Sequence, residues 1–280
     1  MCDPGTRLIS YTVQSTPPAH LSEHYFLDWA FILTGAAVVI ITGISKSGFA
    51  GGLSVLAVPV LSLVVSPAVA AAIMLPILII IDISNIVKYR LHWVKRIVLL
   101  LIPGALVGIL IGSATFSMIN IAWLKTGVGA LAIWFSYTTL ATILWPEGTR
   151  ASKEPAGSMA AVFFGTLAGF TSFVAHAGAP PIKGFLLSQR LDKTAFVATN
   201  AVFFFTMNTM KLPPYFMIGQ FTPENLKLSL ILLPFVPVGI LIGYQLHRIV
   251  SQQMFVKLMC VLLAFAGARL LWDGVSLLTA

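Results

Sequence analysis

Two stretches of this chain, one in each half, break otherwise apolar sequence with glycine and proline. They are Gly48-Phe49-Ala50-Gly51-Gly52 with Pro59, and Gly178-Ala179-Pro180-Pro181. Each leads into an apolar segment too short to cross a bilayer comfortably. The surrounding runs, such as Trp29 to Ser45 and Ala68 to Ile81, contain no Asp, Glu, Lys or Arg. Only 9% of the residues are charged and 58% are hydrophobic, whereas a soluble domain carries about 25% charged residues. These features predict an all-α polytopic membrane protein. The alternating ~10-residue strands of a membrane barrel are absent. Non-helical backbone at membrane depth survives only where protein or a watery cavity satisfies its polar groups. Two such breaks at matching places therefore predict a substrate site.

Ten hydrophobic segments are expected, near 27–45, 52–65, 68–89, 97–117, 121–145, 158–175, 181–189, 194–217, 227–247 and 254–277, two of them short or broken. The polar linker 147–156 divides them into a first membrane repeat, 25–146, and a second, 157–280, behind a polar N-terminal extension, 1–24. That extension lacks a basic stretch before a short apolar core, so no cleavable signal peptide is expected. Val107-Gly108-Ile109-Leu110-Ile111-Gly112 recurs letter for letter as Val238 to Gly243, each copy with a proline four residues upstream, Pro103 and Pro234. Asn85-x-x-Lys88 has a counterpart in Asn208-x-x-Lys211. Five segments per half is an odd number, so the halves insert with opposite orientation and form two inverted-topology repeats. Lys88, Arg90, Lys95, Arg96, Arg150, Lys153, Arg190, Lys193, Arg248 and Lys257 fall on one face when segments alternate sides. They are ten of the 17 basic residues, and the positive-inside rule makes that face cytoplasmic. Both termini then lie on the periplasmic side. The net charge of +8 follows these loops and is not a nucleic-acid footprint.

As a helix, residues 52–65 rise about 21 Å at 1.5 Å per residue, against a hydrocarbon core ~30 Å thick. The glycine-rich entrance to this segment is thus expected inside the membrane. The second short segment is expected to begin near the midplane from the opposite leaflet, with Pro180 and Pro181 in its first turn. Two facing helix N-termini would present unpaired N–H groups and partial positive charge, the elements of an anion site. Gly51 and Gly52 let an anion approach the amides, and Gly48 and Gly178 flank the breaks. The alternative is that these glycines only permit close helix packing, the role expected for Gly104, Gly108 and Gly112.

The polar residues at depth are few. Lys46, before the first break, either supplies fixed positive charge to an anion or snorkels to the nearby face; a lysine at the bilayer centre costs ~2.5–3.5 kcal/mol on insertion scales. Ser47 adds a hydroxyl donor. His176, before the second break, binds an anion as imidazolium, relays a proton, or caps its helix as a neutral ring. Lys183, in the first turn of the second short helix, opposes that helix's dipole, an argument for a ligand role; the alternative is snorkelling. Asn200 and Asn208 either bond an oxyanion or hold helices together. Asp82 is the one acidic residue well inside a segment. It is a candidate proton-coupling carboxylate, or it pairs with Lys88 or Arg90, or it makes a fixed structural contact.

Several chemistries are absent. There is no GxxxxGK[ST] phosphate loop for ATP, and no HExxH among the scattered histidines. Cys2 and Cys260 have no metal spacing. No metal or cofactor is expected, and no enzyme activity.

The segment Gly48 to Pro59, of the form G-F-A-G-G-L-x-x-x-A-V-P, is followed by Leu75-Pro76, Asp82, a basic turn from Tyr89-Arg90 to Trp93, and the Pro103/Gly108/Gly112 helix. With Ala177 to Pro181 before Arg190-Leu191, this order of motifs resembles the TauE/SafE family over nearly the whole chain. The resemblance implies export of sulfite or C2 sulfonates such as sulfoacetate from a bacterial cell, across its inner membrane. The expected mechanism is secondary transport by alternating access, with the anion held at mid-membrane and a proton as candidate coupling ion. The other functional readings are a passive anion channel and a non-transporting membrane assembly subunit.

Overall fold

A computed structural model describes residues 29–48, 54–90, 92–116, 118–144, 157–249 and 252–279. Those residues form helices joined by short turns, with no strand among them. In chain order the helices are α1 (Trp29–Gly48), α2 (Ala57–Leu61, entered through a 3-10 turn at Ser54–Leu56), α3 (Pro67–Lys88), α4 (Lys95–Phe116) and α5 (Ile121–Leu144). After the linker come α6 (Ser158–Ala175), α7 (Ala179–Ser188), α8 (Lys193–Met217), α9 (Pro223–Leu232), α10 (Phe235–Ile249) and α11 (Gln252–Thr279). Among the described residues four helices, α1, α3, α4 and α6, are long and apolar enough to cross a membrane, and the bent α9–α10 pair makes a fifth if it is counted as one span. The chain is a multi-pass membrane protein. The linker and the N-terminal extension lie outside the described residues, as does the glycine loop 49–53.

Local chemistry explains the helix ends. The Ser66 hydroxyl accepts from the Val69 N–H at 3.3 Å, with Pro67 in the first turn of α3. Asp192 accepts from the Thr194 and Ala195 amides, both at 2.9 Å, and Thr222 accepts from the Asn225 N–H at 3.1 Å. These are N-cap residues satisfying orphan donors. At the end of α6, His176 takes the left-handed conformation, φ 51°, which stops that helix and turns the chain into α7.

Two expected segments differ in detail. Among the described residues of the stretch 52–65, Ser54 to Leu61 wind as a helix, entered at Ser54–Leu56 as 3-10, and 62–65 form a turn. Pro59 has no N–H to give the Val55 carbonyl, so an α-type bond cannot close there. The segment 227–247 divides at Leu233-Pro234, where α9 and α10 meet at 43°, the kind of kink proline produces. Its counterpart Pro103 sits inside an unbroken α4.

The most extensive helix contacts are α4 on α6, α5 on α11, α1 on α10 and α3 on α8. Glycines bring the first and third of these pairs together backbone to backbone. A Cβ on Gly104 or Gly108 would collide with the Val162 or Thr166 carbonyl, and one on Gly239 or Gly243 would collide with Ile40 or Ile44. The packing role expected of Gly104, Gly108 and Gly112 is what these contacts show. In lipid, where apolar surface gives helices little reason to associate, such close approach supplies van der Waals attraction.

Candidate functional site

The last turn of α1 carries Ser45, Lys46, Ser47 and Gly48, all buried. Lys46 does not reach for the surface. Its ammonium meets Asp82 Oδ1 of α3 at 2.5 Å, in an ion pair whose side chains are 4% and 1% exposed. The other carboxylate oxygen, Oδ2, accepts from Asn208 Nδ2 of α8 at 2.9 Å. The ring of Phe204, one turn before Asn208, lies 5.3 Å from the ammonium. Asp82 pairs with neither Lys88 nor Arg90, the partners expected from sequence. Lys88 is six residues on, about 240° round the helix, so it points away; its ammonium sits over the Tyr244 ring of α10.

A second buried cluster adjoins the first. Helix α8 presents Asn200, Phe204, Asn208, Lys211 and Tyr215 along one face, because residues three or four apart stack on a helix. Lys211 is fully buried. Its ammonium donates to Ser172 Oγ at 3.0 Å, to the Ser172 carbonyl at 3.2 Å and to His176 Nδ1 at 2.8 Å. Three acceptors match the three N–H donors of an ammonium. His176 Nε2 lies 2.9 Å from the Ala71 carbonyl of α3. A carbonyl only accepts, so the proton is on Nε2 and Nδ1 is the acceptor for Lys211. His176 is thus a neutral ring bridging α3 and α8 while it terminates α6. Tyr215 stacks on it and donates its hydroxyl to the Phe173 carbonyl at 2.7 Å.

Toward the C-terminal end of α3 the polar chain continues. Tyr244 donates to Asn85 Oδ1 at 3.2 Å, and Tyr89 donates to the Ser47 carbonyl at 3.3 Å. The two tyrosine rings meet edge to face.

Of the residues singled out from sequence, Lys46, Asp82, His176 and Asn208 come together here, and Ser47 lies buried beside Lys46 with no hydrogen-bond partner for its hydroxyl among the described residues. Asn200 is buried on the same face of α8, two turns from Asn208. Gly48 abuts the Gly243 carbonyl. Gly178 is the N-cap of α7, closely packed against Ala168 and Ser172. Lys183 is half-buried in α7 and makes none of the cluster's hydrogen bonds. Gly51 and Gly52 lie outside the described residues. Lys211, Ser172 and Tyr215 join the cluster beside the residues singled out from sequence. The signal for Lys211 is a lone cation in Phe203 to Met217, one turn from Asn208, where its position in a repeated motif obscured its burial.

The cluster holds two lysines and one carboxylate in a dry setting, with amide and hydroxyl groups beside them. That donor set suits a small oxyanion; no group of three potential metal ligands occurs among the described residues. No curated protein and no solved structure matches the chain. The family model described as Sulfite exporter TauE/SafE matches residues 35–270. That match covers most of the chain and both clusters, and with it the resemblance seen in the glycine-proline motifs becomes membership: the chain belongs to the sulfite exporter TauE/SafE family of membrane transporters.

Proposed function

We propose that this protein is a secondary transporter that exports sulfite or a C2 sulfonate such as sulfoacetate across a bacterial inner membrane. The observation that carries the reading is the buried set Lys46, Asp82, Asn208, Lys211 and His176, in which two lysines stand with one carboxylate at the meeting of the two halves. A charge kept in so dry a place is costly and is retained for a function. The anion would lie against Lys46, Ser47, Asn208 and His176, with Asn200 and Lys183 along its path and Asp82 as the coupling carboxylate. Gly48, Gly51, Gly52 and Gly178 would line its approach at the helix breaks. Pro180 and Pro181 have no N–H, so the first turn of α7 offers amides only from Gly178 and Ala179. Side chains therefore supply more of the binding than backbone dipoles do.

The contact pattern supports two inverted repeats of five segments, 25–146 and 157–280, with the α9–α10 pair counted as one. Segment four of the first half packs on segment one of the second, and segment one of the first on segment four of the second. Segments three pair with each other, as do segments five. A two-fold exchange produces this pairing. Rocking one half against the other gives alternating access; it would strain bonds that cross between the halves, among them Asn208 to Asp82, His176 to Ala71 and Tyr244 to Asn85. The basic face then lies in the cytoplasm and both termini in the periplasm.

The test is flux of radiolabelled sulfite and sulfoacetate in liposomes holding the purified chain alone. We expect saturable flux of at least one anion. No flux of either would make the chain a non-transporting subunit, and flux that never saturates would make it a channel.

A further inference from the structure

The groups that hold Asp82 are the groups an incoming oxyanion needs. Lys46 bonds one carboxylate oxygen and Asn208 the other, so the carboxylate of Asp82 sits between the two donors and engages an N–H of each while it is ionised. A carboxylate and a sulfonate both offer oxygens that share negative charge, so one can stand in for the other on an ammonium and an amide. The charged and titratable groups facing Asp82 are Lys46 from α1, Lys211 from α8, His176 from the end of α6 and, a turn further on, Tyr244 from α10. An anion arriving beside an ionised Asp82 would meet like charge at contact distance, in a medium that screens little.

We propose that Asp82 and the substrate anion compete for one seat. The oxyanion takes Lys46 and Asn208 only after Asp82 has accepted a proton and released them, so each anion crosses together with one proton. This rests on the reading of the cluster as the substrate site. The proton enters Asp82 from the side to which the site is open. It leaves to water on the other side, when the anion departs and the carboxylate returns to Lys46. The return of the empty protein is then also provided for. Lys46 travels back through the dry state paired with Asp82, which avoids the cost of an unpaired buried charge. The device is an internal carboxylate that keeps the cation neutralised whenever no substrate does.

The experiment measures equilibrium binding of radiolabelled sulfite and of ethanesulfonate to the purified full chain. Ethanesulfonate is a C2 sulfonate whose own charge does not change over the working range. Proton uptake is read with an indicator in weak buffer. For ethanesulfonate we expect the dissociation constant to rise about tenfold per pH unit once Asp82 is ionised, the slope for one linked proton, with one proton taken up per anion bound. Asp82→Asn is expected to bind with no pH slope and no proton uptake. A wild-type dissociation constant flat between about pH 5 and 9, or no proton uptake by the wild type, overturns the proposal without any variant having to fold. So does a slope that survives Asp82→Asn. Failure of both anions to bind at any pH would instead overturn the reading of the cluster as a substrate site.

Discussion

Asn85-x-x-Lys88 on α3 and Asn208-x-x-Lys211 on α8 are the same motif in packed partner helices, and they have opposite fates. Lys88 is exposed, its ammonium over a tyrosine ring; Lys211 is wholly buried and bonded to a histidine and a serine. The difference lies in where each motif sits along its helix. Lys88 is the final residue of α3, whereas α8 runs on six residues past Lys211 to Met217. Six residues are about 9 Å of further helix. One lysine is thereby left at an end and the other drawn into the packed interior. A second contrast concerns Pro103 and Pro234, which precede identical glycine motifs. The first lies within a continuous helix; the second marks a 43° bend. Copies of a motif share their backbone approach, but the polar site is assembled unequally from the two.

The largest expected effect tests that inequality directly. Lys211→Met leaves buried acceptors on Ser172 and His176 without their donor, and breaking a buried charged network costs about 3–5 kcal/mol. Lys88→Met loses a contact with the Tyr244 ring at an exposed helix end and should cost no more than about 1 kcal/mol. Thermal unfolding of the purified protein in detergent measures both. Equal losses would mean that depth along the helix is not what separates the two lysines.

A smaller effect should be shared by the halves. Gly108→Val and Gly239→Val each drive a side chain into a neighbouring helix backbone, and overpacking of this kind costs about 1–3 kcal/mol. Gly127→Val is the control, since nothing lies within 4 Å of a Cβ placed there. Similar unfolding shifts for the first two, with the third unchanged, would support matched helix contacts. A loss at only one of them would show that the pairing is not equivalent.

The smallest effect separates the two tyrosines near the polar clusters. Tyr215→Phe removes a buried hydroxyl that bonds the Phe173 carbonyl, worth about 1 kcal/mol. Tyr244→Phe removes a bond at a half-buried site and should cost less. A larger loss for Tyr244 would shift emphasis to the end of α3.

Helix positions were largely legible in the sequence because apolar runs in lipid leave few alternatives to helix. The break before α7 was legible as well, through glycine and proline; the first, at 49–53, lies outside the described residues. The site was legible in its members more than in its connections. Lys46, Asp82, His176 and Asn208 stood out as polar groups in apolar surroundings. That Lys46 belongs with Asp82 did not, because the two are 36 residues apart, and local spacing suggested Lys88 or Arg90 instead. Lys211 was visible as a letter in a repeat but not as a buried charge, since burial depends on the neighbours that cover it.

The amino-acid order alone determined that this chain is helical and lives in a membrane, and that glycine and proline set off the start of α7. Those outcomes follow from the cost of unsatisfied backbone in hydrocarbon and from residues that cannot continue a helix. Only the tertiary structure decided which cation meets which carboxylate, and that His176 joins three helices through its two ring nitrogens and its place at the end of α6. Such pairings are set by how helices distant in sequence pack, and in lipid that packing is governed by the close approach of small residues.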